Sequence, residues 1–469
     1  MRFTDLISYQ ALLEPSKPAI VAGGKIVTFG MLEHAVRSLS GRIHALGLQP
    51  GSLVGLSIEV PSRHVALSLA LARCGLVSVP YASAATLSQL PPLALGLSDG
   101  GLVVGSAAIN LVVTDEWFAP SEQPVPDVAI ADDADCRVFM SSGTTGTPKP
   151  IFQSFGGMDA QAQVVANHHL LAGRVSRILC AMPLKSAWGY RSTIAALANG
   201  IAVYFAAGTA DIPMTLAAYG CEYLICSVYQ LQELVRLQSE TMIPLPSLAA
   251  VCTGGSLVPA ELVRSAQSLL CSRIILIYGS SEVGHSALEV AGMHPWQDGA
   301  TGFVTPWTEM EAIAEDGRVL PRGETGELRV RSFAQARFGG QPAPDGELPW
   351  FYPGDRGSIS PDGRLTISGR TVDILNIGGT KLSSERIEHA LKRHPMVIDA
   401  GVMGVADRQG LTEVRAAVTV RGAVAEAELR SFVATSFPVA APQMIKIVAA
   451  IPRGDTGKIL REELRALLN

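Results

Sequence analysis

The chain has 469 residues, of which 48% are hydrophobic and 17% are charged, with a formal net charge of −5. This length is enough for two or three domains, and the hydrophobic content excludes an intrinsically disordered chain. The slightly negative charge provides no overall attraction to nucleic acid or to anionic lipid, so neither is expected as a partner.

The amino terminus does not resemble a secretory signal, because Asp5 and two polar residues interrupt its apolar run. The longest apolar stretches, 64–82 and 100–113, contain Arg73 or are short and glycine-rich, so no membrane insertion is expected. The seven cysteines are scattered without a C-x-x-C pair, which is typical of reduced packing residues. These features together predict a cytoplasmic protein.

The first 80 or so residues alternate between helix and strand patterns. Apolar residues recur at steps of three and four from Leu32 to Leu46, which predicts a helix that ends at Gly47. The strand "SLVGLSI", a helix through Cys74 and the strand "LVSVPY" follow, and the same alternation recurs from about 176 to 280. Such alternation predicts a parallel sheet covered by helices.

From about residue 300 the pattern changes to short strands separated by Gly, Pro and Asp turns, and after Ile377 a mixed pattern of helices and strands follows. The predicted fold class is therefore α/β. A large N-terminal domain of parallel-rich sheets with helices, including a small antiparallel β subdomain, would span 1–370. A small, mobile α+β C-terminal domain would span 371–469.

The stretch "VFMSSGTTGTPKP", from Val138 to Pro150, raises the question of phosphate binding. It is not a Walker loop, because two residues separate Gly146 from Lys149 and prolines flank the lysine. Taken alone, such a cluster is more often a surface turn than a nucleotide loop. However, it follows the apolar strand "CRVFM", and consecutive N–H groups with hydroxyls and a lysine suit a polyphosphate. Both interpretations stay open on this stretch alone.

Three later segments favour a nucleotide site. "YGSSEVG" places Tyr278, Ser281 and Glu282 on the loop after a predicted strand, at the sheet edge where ligands bind. The tyrosine ring suits a purine, and the glutamate suits Mg²⁺. "YPGDRG" places Asp355 in a turn, "SGR" supplies Arg370, and these suit ribose hydroxyls. "PRGDTGK" places Lys458 on a glycine-rich loop. Each segment by itself also has a plain structural explanation, such as a turn residue that caps its own backbone. Those explanations do not account for the three segments and the stretch Val138–Pro150 occurring together in this order.

The order of these motifs resembles the adenylate-forming ligase superfamily, which includes acyl- and aryl-CoA synthetases, adenylation domains of peptide synthetases, and luciferases. The resemblance covers nearly the whole chain and rests on "SSGTTGTPK", "GGSLVPAELV", "YGSSE", "GETGELRVRS", "YPGDRGSISPDGRLTISGR" and "GGTKLSSERIE". It implies that ATP and Mg²⁺ activate a small carboxylic acid as acyl-AMP, with release of pyrophosphate. The acyl group would then pass to a pantetheine thiol, that of CoA or of a separate acyl carrier protein.

The resemblance also implies roles for individual residues. The implied catalytic residues are Lys458, Glu282, Ser281 and Thr144, and Glu282 is also the implied metal ligand. The implied nucleotide-binding residues are Ser141, Ser142, Gly143, Thr145, Gly146, Lys149, Gly254, Gly255, Ser256, Tyr278, Gly279, Asp355 and Arg370. The candidate pocket for the acid comprises Ser186, Trp188, Tyr190, Tyr229 and His285.

The chain departs from the family pattern at two positions that concern the second half-reaction. Ser186 stands at the usual position of a histidine near the acid, and Val372 stands at the usual hinge position. These departures keep two alternatives open: an enzyme that passes the acyl group to an amine or a dedicated carrier, and a family member that binds nucleotide without catalysis. The absence of an aspartate near 186–188 argues against a standard α-amino acid as substrate. The sequence leaves the identity of the acid and the oligomeric state open.

Overall fold

The structure is a computed structural model of the chain. It describes residues 1–80, 90–100, 107–120, 128–141, 149–170, 173, 175–295, 299–338, 348–370, 374–377, 380–406, 412–438, 440–454 and 457–468. The predicted phosphate-loop residues Ser142, Gly143, Thr144, Thr145 and Gly146 lie outside these ranges, as does Val372.

The α-helices are α1 (Phe3–Leu13), α2 (Phe29–His44), α3 (Pro61–Arg73), α4 (Phe155–Leu170), α5 (Ala187–Ala198), α6 (Ile212–Tyr219), α7 (Val228–Thr241), α8 (Ala260–Leu269), α9 (Ser384–Lys392), α10 (Glu426–Ala434) and α11 (Arg461–Leu468). Short 3₁₀ helices occupy Asp115–Phe118 and Thr209–Asp211.

The strands of the N-terminal part are β1 (Pro18–Ala22), β2 (Lys25–Thr28), β3 (Leu53–Ser57), β4 (Val77–Pro80), β5 (Leu93–Ser98), β6 (Ala107–Val112), β7 (Asp135–Ser141), β8 (Lys149–Ser154), β9 (Arg177–Cys180), β10 (Ala202–Phe205), β11 (Tyr223–Ser227), β12 (Ala250–Gly254), β13 (Ile274–Ser280), β14 (Gly284–Val290), β15 (Ala300–Val304), β16 (Thr308–Ile313), β17 (Gly326–Ser332), β18 (Arg337–Phe338), β19 (Asp355–Ile359) and β20 (Arg364–Arg370). The later strands are β21 (Ile374–Ile377), β22 (Thr380–Ser383), β23 (Val397–Ala406), β24 (Thr412–Val420) and β25 (Met444–Ile447).

Two large sheets form the N-terminal part of the described chain. In one, the strand order is β16-β17-β19-β20-β15-β14-β13-β12-β11-β9-β10-β1-β2, and the run from β13 to β1 is parallel. In the other, the order is β18-β8-β7-β4-β3-β5-β6, with parallel pairing from β7 to β6. The parallel sheets with intervening helices confirm the predicted α/β class.

The strands after residue 300 pair antiparallel, as predicted, and enclose a small core that includes Met310, Leu328 and Leu365. They do not form a separate sheet, because β14 pairs antiparallel with β13 and continues the large sheet through β15 to β20. The cause is the sharp reversal at Ser281–Glu282, which turns the chain back along β13. The predicted β subdomain is therefore an extension of the parallel sheet.

The C-terminal part has its own small sheet, in which β23 pairs antiparallel with β24 and β24 pairs parallel with β25. Its core includes Ile387 and Leu391 of α9 together with Val402 and Val418 of the sheet. The expected domain boundary at 370/371 falls beside residues 371–373, which lie outside the described ranges. Within the described residues, no helix is long and apolar enough to cross a membrane.

Candidate active site

The site forms where β12 and β13 end side by side. These strands are parallel neighbours, so their carboxyl ends meet at one edge of the sheet. Gly254 ends β12, and a Cβ on it would lie 2.3 Å from the carbonyl oxygen of Ile277 in β13, so only glycine fits. Gly255 follows with φ +88°, and no described atom lies within 4 Å of where its Cβ would stand. The backbone before Ser256 therefore borders open space, as a ligand cradle requires.

Asp355 is fixed from two sides at this edge. The hydroxyl of Tyr278 donates a 2.7 Å hydrogen bond to one carboxylate oxygen, and Arg370 Nε lies 3.3 Å from the other. Asp355 and Arg370 are register partners in β19 and β20. Burial, followed by the charge of Asp355, raises the pKa of Tyr278 well above its ordinary value, so the phenol remains a donor. The side chain of Asp355 is thus oriented as a hydrogen-bond acceptor.

Two local predictions are corrected here. Asp355 was expected in a turn, but it is the first residue of β19, because its backbone pairs with Arg370. Tyr278 was expected on a loop, but it lies within β13, because the antiparallel pairing with β14 extends that strand to Ser280.

Lys458 comes to this edge from the C-terminal part of the chain. Its side chain is half-buried, and burial, followed by the charge of Arg370, lowers its pKa. The carboxylates of Asp355 and Glu282 act on the same ammonium in the opposite direction. Lys458 therefore lies within electrostatic range of Arg370, Asp355 and Glu282. At least three of the four sequence segments that were singled out for a nucleotide site thus meet at this edge of the sheet.

The turn that carries Ser281 and Glu282 is held by its backbone. The carbonyl oxygen of Ser281 accepts a 2.9 Å hydrogen bond from Arg191 Nη2, and that of Glu282 accepts a 2.7 Å bond from the N–H of Ala336. Gln161 Nε2 lies 3.4 Å from the carbonyl oxygen of Val283 and 3.0 Å from that of Ala334. Three successive carbonyl groups are therefore bound, which fixes where the Glu282 carboxylate can reach.

Arg191 is a buried cation in α5. The same Nη2 also donates to Gln153 Oε1 of β8, and the guanidinium carbon lies 5.0 Å from the centroid of the Phe139 ring. Burial lowers the pKa of Arg191 to about 10, although the negative charge of Glu282 raises it. The side chain thus ties the turn of Glu282 to the strand that leaves the predicted phosphate loop.

The predicted phosphate loop connects the two strands of a hairpin. Ser141, the last residue of β7, pairs with Lys149, the first residue of β8, and the pairing is antiparallel. The residues between them, 142–148, lie outside the described ranges. The strand β8 begins at Lys149, in place of the helix that follows a Walker loop; the prolines beside Lys149 are consistent with this because they disfavour a helix there.

Ser186 caps helix α5. Its hydroxyl accepts a 3.0 Å hydrogen bond from the N–H of Gly189 and donates a 2.7 Å bond to the carbonyl oxygen of Pro183. Trp188, in the first turn of α5, packs edge-on against His285 with ring centroids 6.0 Å apart. The structure therefore brings these three pocket candidates, Ser186, Trp188 and His285, to one end of α5 and the adjoining start of β14.

Tyr190 does not line an open pocket. It is 2% exposed and packs in the core against Phe139, with the guanidinium carbon of Arg137 only 3.6 Å from its ring centroid. Burial raises its pKa to about 12. Its expected place in the acid pocket is corrected to core packing, because the helical turn from Trp188 rotates Tyr190 toward the interior.

Tyr229, the remaining pocket candidate, lies against the loop of Lys458. A Cβ placed on Gly457 would stand 2.6 Å from the Cβ of Tyr229, and the guanidinium carbon of Arg453 lies 5.0 Å from the tyrosine ring centroid. The side chain contacts the C-terminal part of the chain, which sequence position alone did not predict.

Sequence reasoning missed Arg191, Gln161 and Arg453. A signal existed for Arg191, which is a lone cation in the apolar helix sequence "AWGYRSTIAALA". A charge in such a position is either buried with partners or marks a different element. No comparable signal marks Gln161 or Arg453, because their partners are distant in sequence.

The arrangement fits MgATP. Among the described residues no group of three His, Cys, Asp or Glu side chains is placed to hold a metal. Mg²⁺ commonly uses one or two carboxylates and completes its coordination with substrate phosphates and water, so a single Glu282 on a fixed turn suits it. The oriented Asp355 suits ribose hydroxyls, and the cradle at Gly254–Ser256 leaves room for a base.

Comparisons with known proteins agree with this geometry. The sequence profile described as AMP-binding enzyme matches residues 97–337, more than half of the chain, and that described as AMP-binding enzyme C-terminal domain matches 386–458. The sulfoacetate–CoA ligase of Cupriavidus necator is 27% identical over 98% of this chain and 96% of its own. The fatty acid–[acyl-carrier-protein] ligase ScoC of Streptomyces coeruleorubidus is 26% identical over 98% of this chain and 95% of its own.

Among solved structures, o-succinylbenzoate CoA synthetase from Bacillus subtilis in complex with its acyl-adenylate intermediate has a TM-score of 0.85. The match covers 98% of this chain and 97% of the other at 22% identity, and it shows a shared fold. With the profile match over more than half of its length and with full-length relatives, the chain belongs to the AMP-binding enzyme family, the adenylate-forming superfamily.

Proposed function

We propose that this protein activates a carboxylic acid with ATP as acyl-AMP and then transfers the acyl group to a pantetheine thiol. The observation that carries the proposal is that the ammonium of Lys458 lies within electrostatic range of Arg370, Asp355 and Glu282, at the sheet edge where Tyr278 and Arg370 orient the Asp355 carboxylate. In support, relatives matched over 95% or more of their length include a CoA ligase and a carrier-protein ligase.

In the first step, a carboxylate oxygen of the acid attacks the α-phosphorus of ATP. The new P–O bond forms as the bond to the bridging oxygen breaks, and pyrophosphate leaves with that electron pair. Two anions must meet, so the contribution of the protein is positioning and cationic stabilisation. Lys458 would contact both the carboxylate and the α-phosphate, and Ser281 would lie near the α-phosphate.

The other residues would hold the nucleotide. Asp355, oriented by Tyr278 and Arg370, would accept hydrogen bonds from the ribose hydroxyls. Glu282 would hold Mg²⁺, which neutralises charge on the phosphates. The loop Ser141–Lys149, with Thr144 and Thr145 foremost, would hold the β- and γ-phosphates before pyrophosphate leaves.

In the second step, a thiol sulfur attacks the acyl carbon. A C–S bond forms, the C–O bond to AMP breaks, AMP leaves with the electron pair, and the thiol proton passes to solvent. We place the boundary of the C-terminal domain at 370/371, and propose that this domain moves between the two steps, taking Lys458 away and exposing a path for the thiol.

The acceptor is CoA or a separate acyl carrier protein. An amine or a dedicated carrier is the second candidate, and the observation that favours it is the hydroxyl of Ser186, which is committed to capping α5 at the position where the family often has a histidine.

Pyrophosphate release across a panel of aryl, short-, medium- and long-chain and amino acids, each with and without CoA, tests the proposal. Release with one acid class that rises with CoA establishes a CoA ligase. Release that is indifferent to CoA indicates a carrier protein or an amine as acceptor. If no acid supports release although ATP binds, the proposal fails. Lys458→Ala is the control and should abolish release with the active acid.

A further inference from the structure

Tyr229 contacts the lysine loop although it belongs to the N-terminal part of the chain. It is the second residue of α7, whose first turn is held by a reciprocal cap: Ser227 Oγ accepts from the N–H of Gln230, and Gln230 Oε1 accepts from the N–H of Ser227. Gln230 Nε2 also donates to the carbonyl oxygen of Ala181 at the end of β9. The tyrosine is therefore mounted on a rigid helix start.

Arg453 joins the described residues on either side of 455–456 in the segment 453–458, here called the lysine loop. Its Nη1 donates a 2.5 Å hydrogen bond to the carbonyl oxygen of Gly457, and its Nε and Nη2 bind both carboxylate oxygens of Asp399 in β23, at 2.8 and 2.7 Å. The N–H of Gly454 donates to the carbonyl oxygen of Lys458 at 2.9 Å. Arg453 thus links the residue preceding Lys458 to the sheet of the C-terminal part.

The contact with Tyr229 is close enough to fix the loop. The guanidinium carbon of Arg453 lies 5.0 Å from the ring centroid, within the range of a cation–π interaction. A Cβ on Gly457 would lie 2.6 Å from the Cβ of Tyr229 and 3.1 Å from its Cγ, and the φ of Gly457 is +78°. Both the left-handed backbone and the close approach therefore require glycine next to Lys458.

We propose that Tyr229 is a positioning residue for the first half-reaction: its ring is the surface of the N-terminal part on which Arg453 and Gly457 dock so that Lys458 reaches the nucleotide site. This inference rests on the proposed function, and it reassigns Tyr229 from the acid pocket to the interdomain contact. Because the contact joins the two parts of the chain, it is broken whenever the C-terminal part moves. Tyr229 therefore acts in adenylation and not in thiol transfer.

The two half-reactions of the full-length protein separate this role from others. With the acid that is active for the wild type, Tyr229→Ala should slow pyrophosphate release by about 10- to 100-fold, since misplacing a catalytic group by an ångström has effects of that order. Its transfer of the acyl group from chemically prepared acyl-AMP to CoA, or to the acceptor identified by the panel, should stay within about twofold of wild type. Tyr229→Phe keeps the ring and should retain most of the adenylation rate.

A double variant tests whether Tyr229 and Arg453 act through one contact. Arg453→Met should slow pyrophosphate release, and Tyr229→Ala combined with Arg453→Met should be no slower than the worse single variant. If the fold-decreases in pyrophosphate release of the two single variants multiply in the double variant, the proposal is overturned. Equal losses in both half-reactions, or a raised KM for the acid as the main effect of Tyr229→Ala, would also overturn it, because they indicate the acid pocket.

A labelling measurement makes the test independent of activity. In the Lys458→Cys variant, docking should slow alkylation of the introduced thiol by N-ethylmaleimide, and adding Tyr229→Ala should raise that rate several-fold. Six of the seven native cysteines are buried, and Cys271 serves as the partly exposed internal reference. An unchanged rate, in a variant whose thermal unfolding matches that of its parent, defeats the docking proposal even if no acid substrate has been found. Failure of every acid to release pyrophosphate defeats only the proposed function.

Discussion

Replacing Arg191 with methionine should weaken the binding of Mg²⁺ while changing the free energy of unfolding little. Arg191 Nη2 donates to two acceptors, the buried Gln153 Oε1 and the partly buried carbonyl oxygen of Ser281, and it thereby links α5, β8 and the turn of Glu282. Methionine has a similar length and fills the space against Phe139, but it donates no hydrogen bond. The substitution therefore releases the turn without opening a large cavity.

The expected change in stability is small because two large contributions oppose each other. Leaving these two acceptors unpaired costs at most roughly 1–3 kcal/mol each. Removing the buried charge returns about 3 kcal/mol, since burial lowers the pKa of Arg191 from 12.5 to about 10 and each pKa unit corresponds to about 1.4 kcal/mol. The difference lies between about −1 and +3 kcal/mol. By contrast, removing a residue that positions a metal ligand typically weakens metal binding or activity by about 10- to 100-fold.

The assay is pyrophosphate release with varied Mg²⁺ at saturating acid, together with urea unfolding. Arg191→Met should raise the half-saturating Mg²⁺ concentration by about tenfold or more while the unfolding midpoint moves little. Arg137→Met is the matched control: this arginine is also buried and also lies over Phe139, but it binds the carbonyl oxygen of Leu184 and not the turn of Glu282. If the Mg²⁺ requirement of the folded Arg191 variant equals that of the control, the reasoning is refuted.

Three further predictions follow from the titrating and hydrogen-bonded groups. As the pH is raised, the rate of pyrophosphate release should begin to decline below pH 10.5, the ordinary pKa of lysine. Burial and the charge of Arg370 lower the pKa of Lys458, and its neutral amine no longer offsets the phosphate charge. A decline that begins only above pH 10.5 contradicts this prediction. Tyr278→Phe removes a hydrogen bond to the charged Asp355 and should raise the KM for ATP by about tenfold with the KM for the acid unchanged, and equal changes in both would exclude a ribose role. Burial, followed by the charge of Arg137, lowers the pKa of His64 to about 3 in the folded protein, from 6.5 in the unfolded chain. The free energy of unfolding should therefore decrease as the pH falls below 6.5, by about 2 kcal/mol at pH 5. Urea unfolding at neutral pH and at pH 5 should show a smaller decrease for His64→Gln than for wild type, and an equal decrease would contradict this prediction.

The sequence predicted those features that depend on local pattern. The parallel strands around the site follow from apolar runs bounded by glycine, and the position of Tyr278 and Glu282 at a sheet edge follows from strand polarity. The companion motifs, more than any single one, indicated a nucleotide site. Asp355 and Arg370 prove to be cross-strand partners, which gives a physical reason for their joint presence.

The sequence did not predict the contacts made between distant segments. Arg191 reaches a carbonyl group ninety residues away, and Tyr229 meets a loop from the other end of the chain. Such contacts depend on how α5, α7 and the C-terminal part pack, which no local periodicity encodes. Tyr190 was misassigned for the same reason: its neighbour Trp188 lies at the helix end, whereas one further half-turn places Tyr190 over Arg137 in the core.

The contacts of Ser186 support the first half-reaction, adenylation, better than the second, transfer to a thiol. A side chain that gates the entry of a thiol must be able to leave its position, yet the Ser186 hydroxyl holds the start of α5 through the N–H of Gly189 and the carbonyl oxygen of Pro183. Losing such a cap costs about 1 kcal/mol, and the same helix carries Arg191 and through it the turn of Glu282. The end of α5 is therefore a fixed part of the adenylation site. On the proposed function, access for the acceptor would therefore come from movement of the C-terminal part away from Tyr229, and the docked loop of Lys458 would act as the gate for CoA or a carrier protein.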